Sequence, residues 1–303
     1  MAIPIAMKTI PFYPGCTLKT HAQGFEATAI ETCRLFGIDL KEMDSWYCCG
    51  TVHSLAADDL IHQLAPVRNL SRVKALPADR VVTLCSMCYN TLKRADLLLQ
   101  KDSDKRKKLQ SVMDRGEALY DGGEVKVFHL LELLRDEVGW AAIREKASPG
   151  LQGLKVASYY GCLLLRPEEA GIDDPENPSI MEELVRALGG EPVEFPWKTE
   201  CCGAYLTATR PETVSLQSRE ILSSAARRGA EAIATSCPLC FFNLEERREG
   251  MEKNGIPVFY FTELMALAFG FGLPDELLRL HAVDPKLILN KLTTKGTTTP
   301  SVK

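Results

Sequence analysis

The chain reads as an α/β protein of two pseudo-symmetric halves with parallel sheets, related by internal duplication. Two observations predict this. Ten of the eleven cysteines fall into two copies of one five-cysteine pattern. Strands also alternate with helices in the same order in each half, the rhythm of parallel sheets with helices on their faces. The first copy is Cys16 in Pro14-Gly15-Cys16, the pair Cys48-Cys49-Gly50, and Cys85-Ser86-Met87-Cys88. The second is Gly161-Cys162, then Cys201-Cys202-Gly203, then Cys237-Pro238-Leu239-Cys240. Single to pair is 32 residues in one copy and 39 in the other, and pair to C-x-x-C is 36 and 35.

In the first half, Thr9 to Tyr13 is a short apolar strand ending at the Pro-Gly-Cys turn. Phe25 to Phe36 carries apolar residues at helical spacing and stops at Gly37. Ile38 to Met43 is a second strand leading to Cys48 and Cys49. Leu55 to Leu76 is helical, and Arg80 to Leu84 is a buried strand delivering Cys85. Tyr89 to Gln100 is a helix, Val125 to Phe128 a strand, and Leu130 to Val138 another helix. Between them, the charged insert Lys101 to Gly116 reads as a solvated helix without an equivalent in the second half.

The second half repeats the order. Strands are expected over Lys155 to Tyr159, Pro192 to Phe195, Ala232 to Thr235 and Val258 to Phe261. Helices are expected over Ser179 to Leu188, Glu212 to Arg228 and Phe241 to Lys253. The flanks repeat as well: Val81-Val82-Thr83-Leu84-Cys85 aligns with Ile233-Ala234-Thr235-Ser236-Cys237, and Val127-Phe128-His129 with Val258-Phe259-Tyr260. Ser148-Pro149-Gly150 is the expected boundary, giving a first half over 8–148 and a second over 149–270. Residues 271–303 form a C-terminal extension whose end, from Asn290, reads as a disordered tail. Ligands of such Rossmann-like sheets bind beyond the carboxyl ends of the strands. Cys16, Cys85, Cys162 and Cys237 each lie just past a strand, so each half should gather its thiols along one sheet edge.

Composition narrows the function. A chain of 303 residues, 46% hydrophobic and 25% charged, has ample material for a buried core. Its net charge of −4 gives no reason to expect nucleic acid or an anionic membrane as partner. The apolar stretch Leu264 to Leu273 falls short of the about 20 residues needed to span a bilayer. The amino terminus lacks the pattern of a secretory signal, so a cytoplasmic location is expected, where clustered cysteines are metal ligands or redox groups rather than disulfides.

Three chemistries compete for five thiols per half. Structural zinc takes four thiolates, usually from two C-x-x-C knuckles, and adjacent cysteines seldom reach one tetrahedral ion without strain. A redox dithiol leaves three cysteines per half unexplained. An iron–sulfur cluster fits better. An ordinary cubane needs four thiolates, so a fifth implies either a five-ligand cluster or a cubane with a spare reactive thiol.

The two C-x(n)-C-C-G-x(n)-C-x-x-C motifs resemble the cysteine-rich CCG domain pair found in the B-type subunit of heterodisulfide reductase and its relatives, from about Phe12 to Leu267. That resemblance implies two noncubane iron–sulfur clusters of the 4Fe-4S type, one per motif, each passing one electron to a disulfide held between them. Carried over by motif, Cys16, Cys48, Cys49, Cys85 and Cys88 would ligate one cluster. Cys162, Cys201, Cys202, Cys237 and Cys240 would ligate the other. Relatives include the heterodisulfide-reductase-like complexes of sulfur oxidisers, and also electron-transfer subunits of glycolate, lactate and succinate dehydrogenase complexes. The implied function is that of a catalytic subunit working on a disulfide, thiol or sulfane sulfur. The alternative is a non-catalytic electron-transfer subunit.

Neither a ferredoxin cysteine run nor a dinucleotide or Walker loop is present in the sequence. Flavin and entry clusters are therefore expected on partner subunits, one flavin-containing and one of ferredoxin type. Cys33 lies on the apolar face of a helix and reads as a buried structural thiol. His21 and His53 lie near Cys16 and Gly50, close enough to give a proton to a nascent thiolate; equally, each is a plain loop histidine. His129 reads as a cap or core group. Trp46 and Trp197 precede the vicinal pairs and suit a water-excluding shell. Lys19 and Arg166 are either steering charges for an anionic thiol or solvated surface groups.

Overall fold

The computed structural model describes residues 7–51, 60–248 and 255–295. The chain divides into two compact units, 1–133 with 166–172, and 134–165 with 173–303.

The first unit is built on strands β1 (Lys8–Phe12), β2 (Ile38–Glu42), β3 (Arg80–Thr83) and β4 (Lys126–His129). They form one parallel sheet in the order β2-β1-β3-β4. Helix α1 (Gly15–Leu18) is a single turn after β1, and α2 (Gln23–Arg34) returns the chain to β2. Helices α3 (Leu60–Lys74) and α4 (Ser86–Lys101) flank β3, and α5 (Ser103–Ser111) is the charged insert. Of α5 only Leu109 is buried, and its start is capped by Asp102, which accepts from the amides of Asp104 and Lys105. After β4 come α6 (Leu130–Leu133) and a π-helical segment, Leu134–Val138, in place of the single helix expected there.

The second unit repeats the plan with β5 (Lys155–Tyr159), β6 (Glu191–Val193), β7 (Ala232–Thr235) and β8 (Val258–Tyr260), parallel and ordered β6-β5-β7-β8. Its helices are α7 (Trp140–Lys146), α8 (Ile180–Ala187), α9 (Pro211–Arg227), α10 (Pro238–Glu246) and α11 (Phe261–Ala268). Beyond them lie α12 (Asp275–Leu278) and α13 (Lys286–Lys295). Strands β7 and β8 are buried along their whole length, as expected of strands covered on both faces, while the edge strand β6 is partly exposed.

Two features differ from the sequence reading. The units part at Leu133–Leu134 rather than near residue 148, because α7 packs on α8 and Trp140 Nε1 donates to Glu183 Oε2 at 2.8 Å. The stretch from Asn290 is helical to Lys295, held where Gln152 Nε2 donates to the Leu292 carbonyl at 2.8 Å and Lys291 pairs with Glu231. Residues 296–303, the rest of the expected tail, lie outside the described residues, as do 55–59 and 249–253 of two expected helices.

In each sheet the strand order turns between the first and third strands, and at that edge a parallel α/β sheet opens its binding crevice. Cys16 follows β1 and Cys85 follows β3, and Cys162 and Cys237 do the same after β5 and β7.

Candidate metal centre

Each site starts where a central strand runs into a turn, Tyr13-Pro14-Gly15-Cys16 or Tyr159-Tyr160-Gly161-Cys162. Gly15 and Gly161 take φ of 72° and 64°, a left-handed conformation that costs other residues about 1–2 kcal/mol. Their lack of a side chain also matters. A Cβ on Gly15 would stand 2.7 Å from Cys88 Sγ, and one on Gly161 would stand 3.1 Å from Cys240 Sγ. The turn bearing the lone cysteine therefore passes directly against the last cysteine of the motif.

The preceding tyrosines pin the vicinal-pair loops. Tyr13 Oη donates to the Tyr47 carbonyl at 2.8 Å, and Tyr159 Oη donates to the Glu200 carbonyl at 2.7 Å. Both carbonyls belong to the residue just before the vicinal pair. Both rings are fully buried, and burial, reinforced by the surrounding thiols, pushes both phenols far up, so they stay neutral donors. In the first unit the Tyr47 backbone is also gripped by Asn69, which accepts from its amide at 2.8 Å and donates to its carbonyl at 2.9 Å.

The C-x-x-C segments start helices. Cys85 and Cys237 are the extended N-cap residues of α4 and α10, and Cys88 and Cys240 lie in the first turns. Thiolates placed there lie at the positive end of the helix dipole.

These three segments bring the five sulfurs of each motif together. In the first unit Cys16 and Cys48 lie 3.5 Å apart and Cys49 and Cys88 lie 3.6 Å apart. Hydrogen bonds join Cys48 to Cys49 and Cys85 to Cys88. In the second unit Cys202 and Cys240 are 3.4 Å apart, and Cys162 bonds Cys201 while Cys237 bonds Cys240. All eleven cysteines are free thiols.

Crowding splits the protonation of each group. Hydrogen bonding to Cys48, with burial, pushes Cys16 up, and Cys162 is raised in the same way through Cys201. Cys88 and Cys240 are raised by hydrogen bonds to their neighbouring thiols and by burial. Within the vicinal pairs, Cys49 is lowered by bonds from Cys48 and Cys88, and Cys201 by a bond from Cys162 and by backbone amides. Five sulfurs this close cannot all ionise against one another; a polycationic centre would let them. That donor set, with glycine-lined backbone against it, fits a thiolate-ligated iron–sulfur cluster better than zinc, which has no use for a fifth sulfur.

Around the sulfurs stand donors that sequence pattern does not single out. Gly203 N donates to Cys201 Sγ at 3.3 Å. Thr51 Oγ1 lies 3.0 Å from Cys49 Sγ, and Asn243 Nδ2 donates to Cys202 Sγ at 3.5 Å. The two tyrosines are not among the candidates drawn from the sequence, although Tyr-x-Gly-Cys occurs in both halves. Thr91 and Asn243, each three residues past the last cysteine, differ between the halves and carried no repeat signal.

The other candidates fall in place individually. Cys33 is fully buried within α2, and burial pushes it up to about 12, the behaviour of an inert core thiol. His21 is exposed in the turn after α1, and His53 lies outside the described residues. His129 is buried and caps α6: its Nδ1 accepts from the Leu131 amide, so its Nε2 donates to the Leu84 carbonyl at 2.7 Å, beside Cys85. Trp46 is half-buried and packs edge-on against Tyr13, and Trp197 is half-buried. Lys19 is held between Glu26 and Glu42, each at 2.5 Å, which neutralises it as a steering charge.

A duplicated α/β protein with five thiols gathered at one edge of each parallel sheet is a two-site cysteine-cluster protein. The chain belongs to the cysteine-rich domain (CCG) family, whose model matches residues 10–93 and 156–245. It is 30% identical to the 8-methylmenaquinol:fumarate reductase membrane anchor subunit of Wolinella succinogenes, over 91% of this chain and 98% of that one. It is 28% identical to the B-type subunit of the ferredoxin:CoB-CoM heterodisulfide reductase of Methanosarcina mazei, over 89% and 92%. A solved structure of a hypothetical protein from Helicobacter pylori shares the fold, with a TM-score of 0.73 at 12% identity; the match covers 93% of this chain and 53% of that one. Both named relatives are subunits of multi-component reductases. Among the described residues no helix is long and apolar enough to cross a membrane.

Proposed function

We propose that this chain is the iron–sulfur catalytic subunit of a thiol–disulfide oxidoreductase complex of the heterodisulfide reductase type. The observation that carries the reading is the completeness of both sites: two separate groups of five free thiols, none substituted. Cys16, Cys48, Cys49, Cys85 and Cys88 would hold one noncubane cluster, and Cys162, Cys201, Cys202, Cys237 and Cys240 the other. When bound, each cluster supplies or accepts one electron, so the pair matches RS–SR + 2e⁻ + 2H⁺ → 2 RSH, or its reverse on thiol or sulfane sulfur. The chain's own part is to fix the sulfurs through Tyr13 and Tyr159, to shelter them, and to direct donors at them. His21 and His53 are the candidate proton donors. The electrons come from partner subunits, one of ferredoxin type and one carrying flavin. The compartment is read as the cytoplasm, where so many thiols stay reduced.

A second reading, an electron-transfer subunit without sulfur chemistry of its own, is favoured by the fumarate reductase relative at 30% identity. One experiment separates the two. Iron and acid-labile sulfide are measured on anaerobically purified protein, where about eight of each per chain are expected for two four-iron clusters. The paramagnetic spectrum is then recorded with and without a small disulfide. A disulfide-dependent signal supports sulfur catalysis, an unchanged spectrum supports electron transfer alone, and zinc without sulfide overturns both.

A further inference from the structure

The two sites share their cysteines and tyrosines but not the hydrogen-bond donor aimed at the second cysteine of the vicinal pair. At Cys202 the donor is Asn243, fully buried on α10. Its amide nitrogen donates to the Cys202 carbonyl at 3.0 Å and to Cys202 Sγ at 3.5 Å, while its oxygen accepts from Thr207 Oγ1 at 2.8 Å. The Cys202 carbonyl is an acceptor only, so the NH₂ group must face it. Two N–H hydrogens meet two acceptors, and the amide cannot turn without setting its oxygen against the Cys202 carbonyl. The sulfur therefore has a dedicated donor.

At the equivalent place in the first unit stand two hydroxyls. Thr51 Oγ1 is 3.0 Å from Cys49 Sγ and 2.8 Å from Thr91 Oγ1, and Thr91 Oγ1 donates to the Met87 carbonyl at 2.8 Å. Two hydrogens serve three contacts. With Thr91 committed to Met87, the Thr91 oxygen draws the Thr51 hydrogen away from Cys49. The Thr51 backbone amide also bonds to this sulfur, but its side-chain donor is shared.

Hydrogen bonds to cluster sulfur favour the more negative, reduced state and raise the reduction potential. We propose that Asn243, oriented by Thr207, and the competing Thr51–Thr91 pair set the two sites at unequal potentials, the second above the first. These are positioning residues, and the inference rests on the reading of one iron–sulfur cluster per motif. It gives the near-symmetric halves a fixed order of reduction, with the second site filling first.

The test is a potentiometric titration of the anaerobic full-length protein followed by electron paramagnetic resonance, with iron measured on every sample. Wild type should show two separated waves, and Cys202→Ser should remove the higher one. Asn243→Leu should move the higher wave to lower potential with iron retained, and Thr207→Val should move it less in the same direction. Thr91→Val, which touches no sulfur, should free the Thr51 hydrogen for Cys49 and move the lower wave up. That upward shift is one a purely structural role would not produce. Coincident wild-type waves, or an unmoved or falling lower wave in Thr91→Val, would overturn the proposal while leaving the clusters in place. If Asn243→Leu fails to load iron, Thr207→Val decides the second site. Protein lacking iron altogether would overturn the reading beneath it.

Discussion

Gly15→Ala isolates the close approach that assembles the first site. Gly15 holds φ at 72°, and alanine there pays about 1–2 kcal/mol for the left-handed conformation. The new methyl would also meet Cys88 Sγ at 2.7 Å, inside any normal contact, so the turn or the cysteine must shift at an overpacking cost of about 1–3 kcal/mol. The total is about 2–5 kcal/mol, with the displacement falling on a proposed ligand. Gly153 is the control, because its φ is 73° but nothing lies within 4 Å of its Cβ position. Gly153→Ala should lose only the backbone part, about 1–2 kcal/mol. Denaturant unfolding should rank wild type above Gly153→Ala above Gly15→Ala. Iron analysis should show loss at one site in Gly15→Ala and none in Gly153→Ala. Equal stability and equal iron in the two variants would refute the idea that the turn is packed against the thiol.

Three further outcomes follow from the same geometry. Tyr159→Phe should cost more than Tyr13→Phe, within the roughly 1–3 kcal/mol for an orphaned buried carbonyl, because Tyr47 O keeps its bond from Asn69 whereas the Glu200 carbonyl has no second donor among the described contacts; chemical denaturation compares them. Cys202→Ser should remove iron from the second site and spare the first, so loss of both in metal analysis would contradict independent sites. The third concerns pH. Burial opposes charge on His281, but the Glu263 carboxylate 3.5 Å away, with Glu245 also near and the Val258 carbonyl bonded to its Nδ1, holds its pKa above 6.5. A raised folded value means the ion pair contributes fully below 6.5 and fades as pH rises through the folded pKa. Unfolding free energy measured against pH should fall across that window in wild type, and the fall should flatten in His281→Gln.

The duplication, the parallel α/β plan and the grouping of ten cysteines into two sites were all legible in the sequence. Spacing recurs because each motif must return to the same sheet edge, and strand ends such as Leu84-Cys85 and Ser236-Cys237 mark that edge by themselves. Cys33 was separable from the ten by helical periodicity alone. What the sequence could not fix is decided by contacts between residues far apart in the chain. Tyr13 reaches Tyr47 across 34 positions, Asn243 reaches Cys202 across 41, and Thr91 reaches Thr51 across 40. The division at Leu134 is of this kind too, since Trp140 joins the second unit through Glu183, 43 residues on. Local pattern records which face a residue presents and where a strand ends. Which hydrogen is left over for a given sulfur depends on every donor and acceptor that folding brings to it, and only the tertiary structure settles that count.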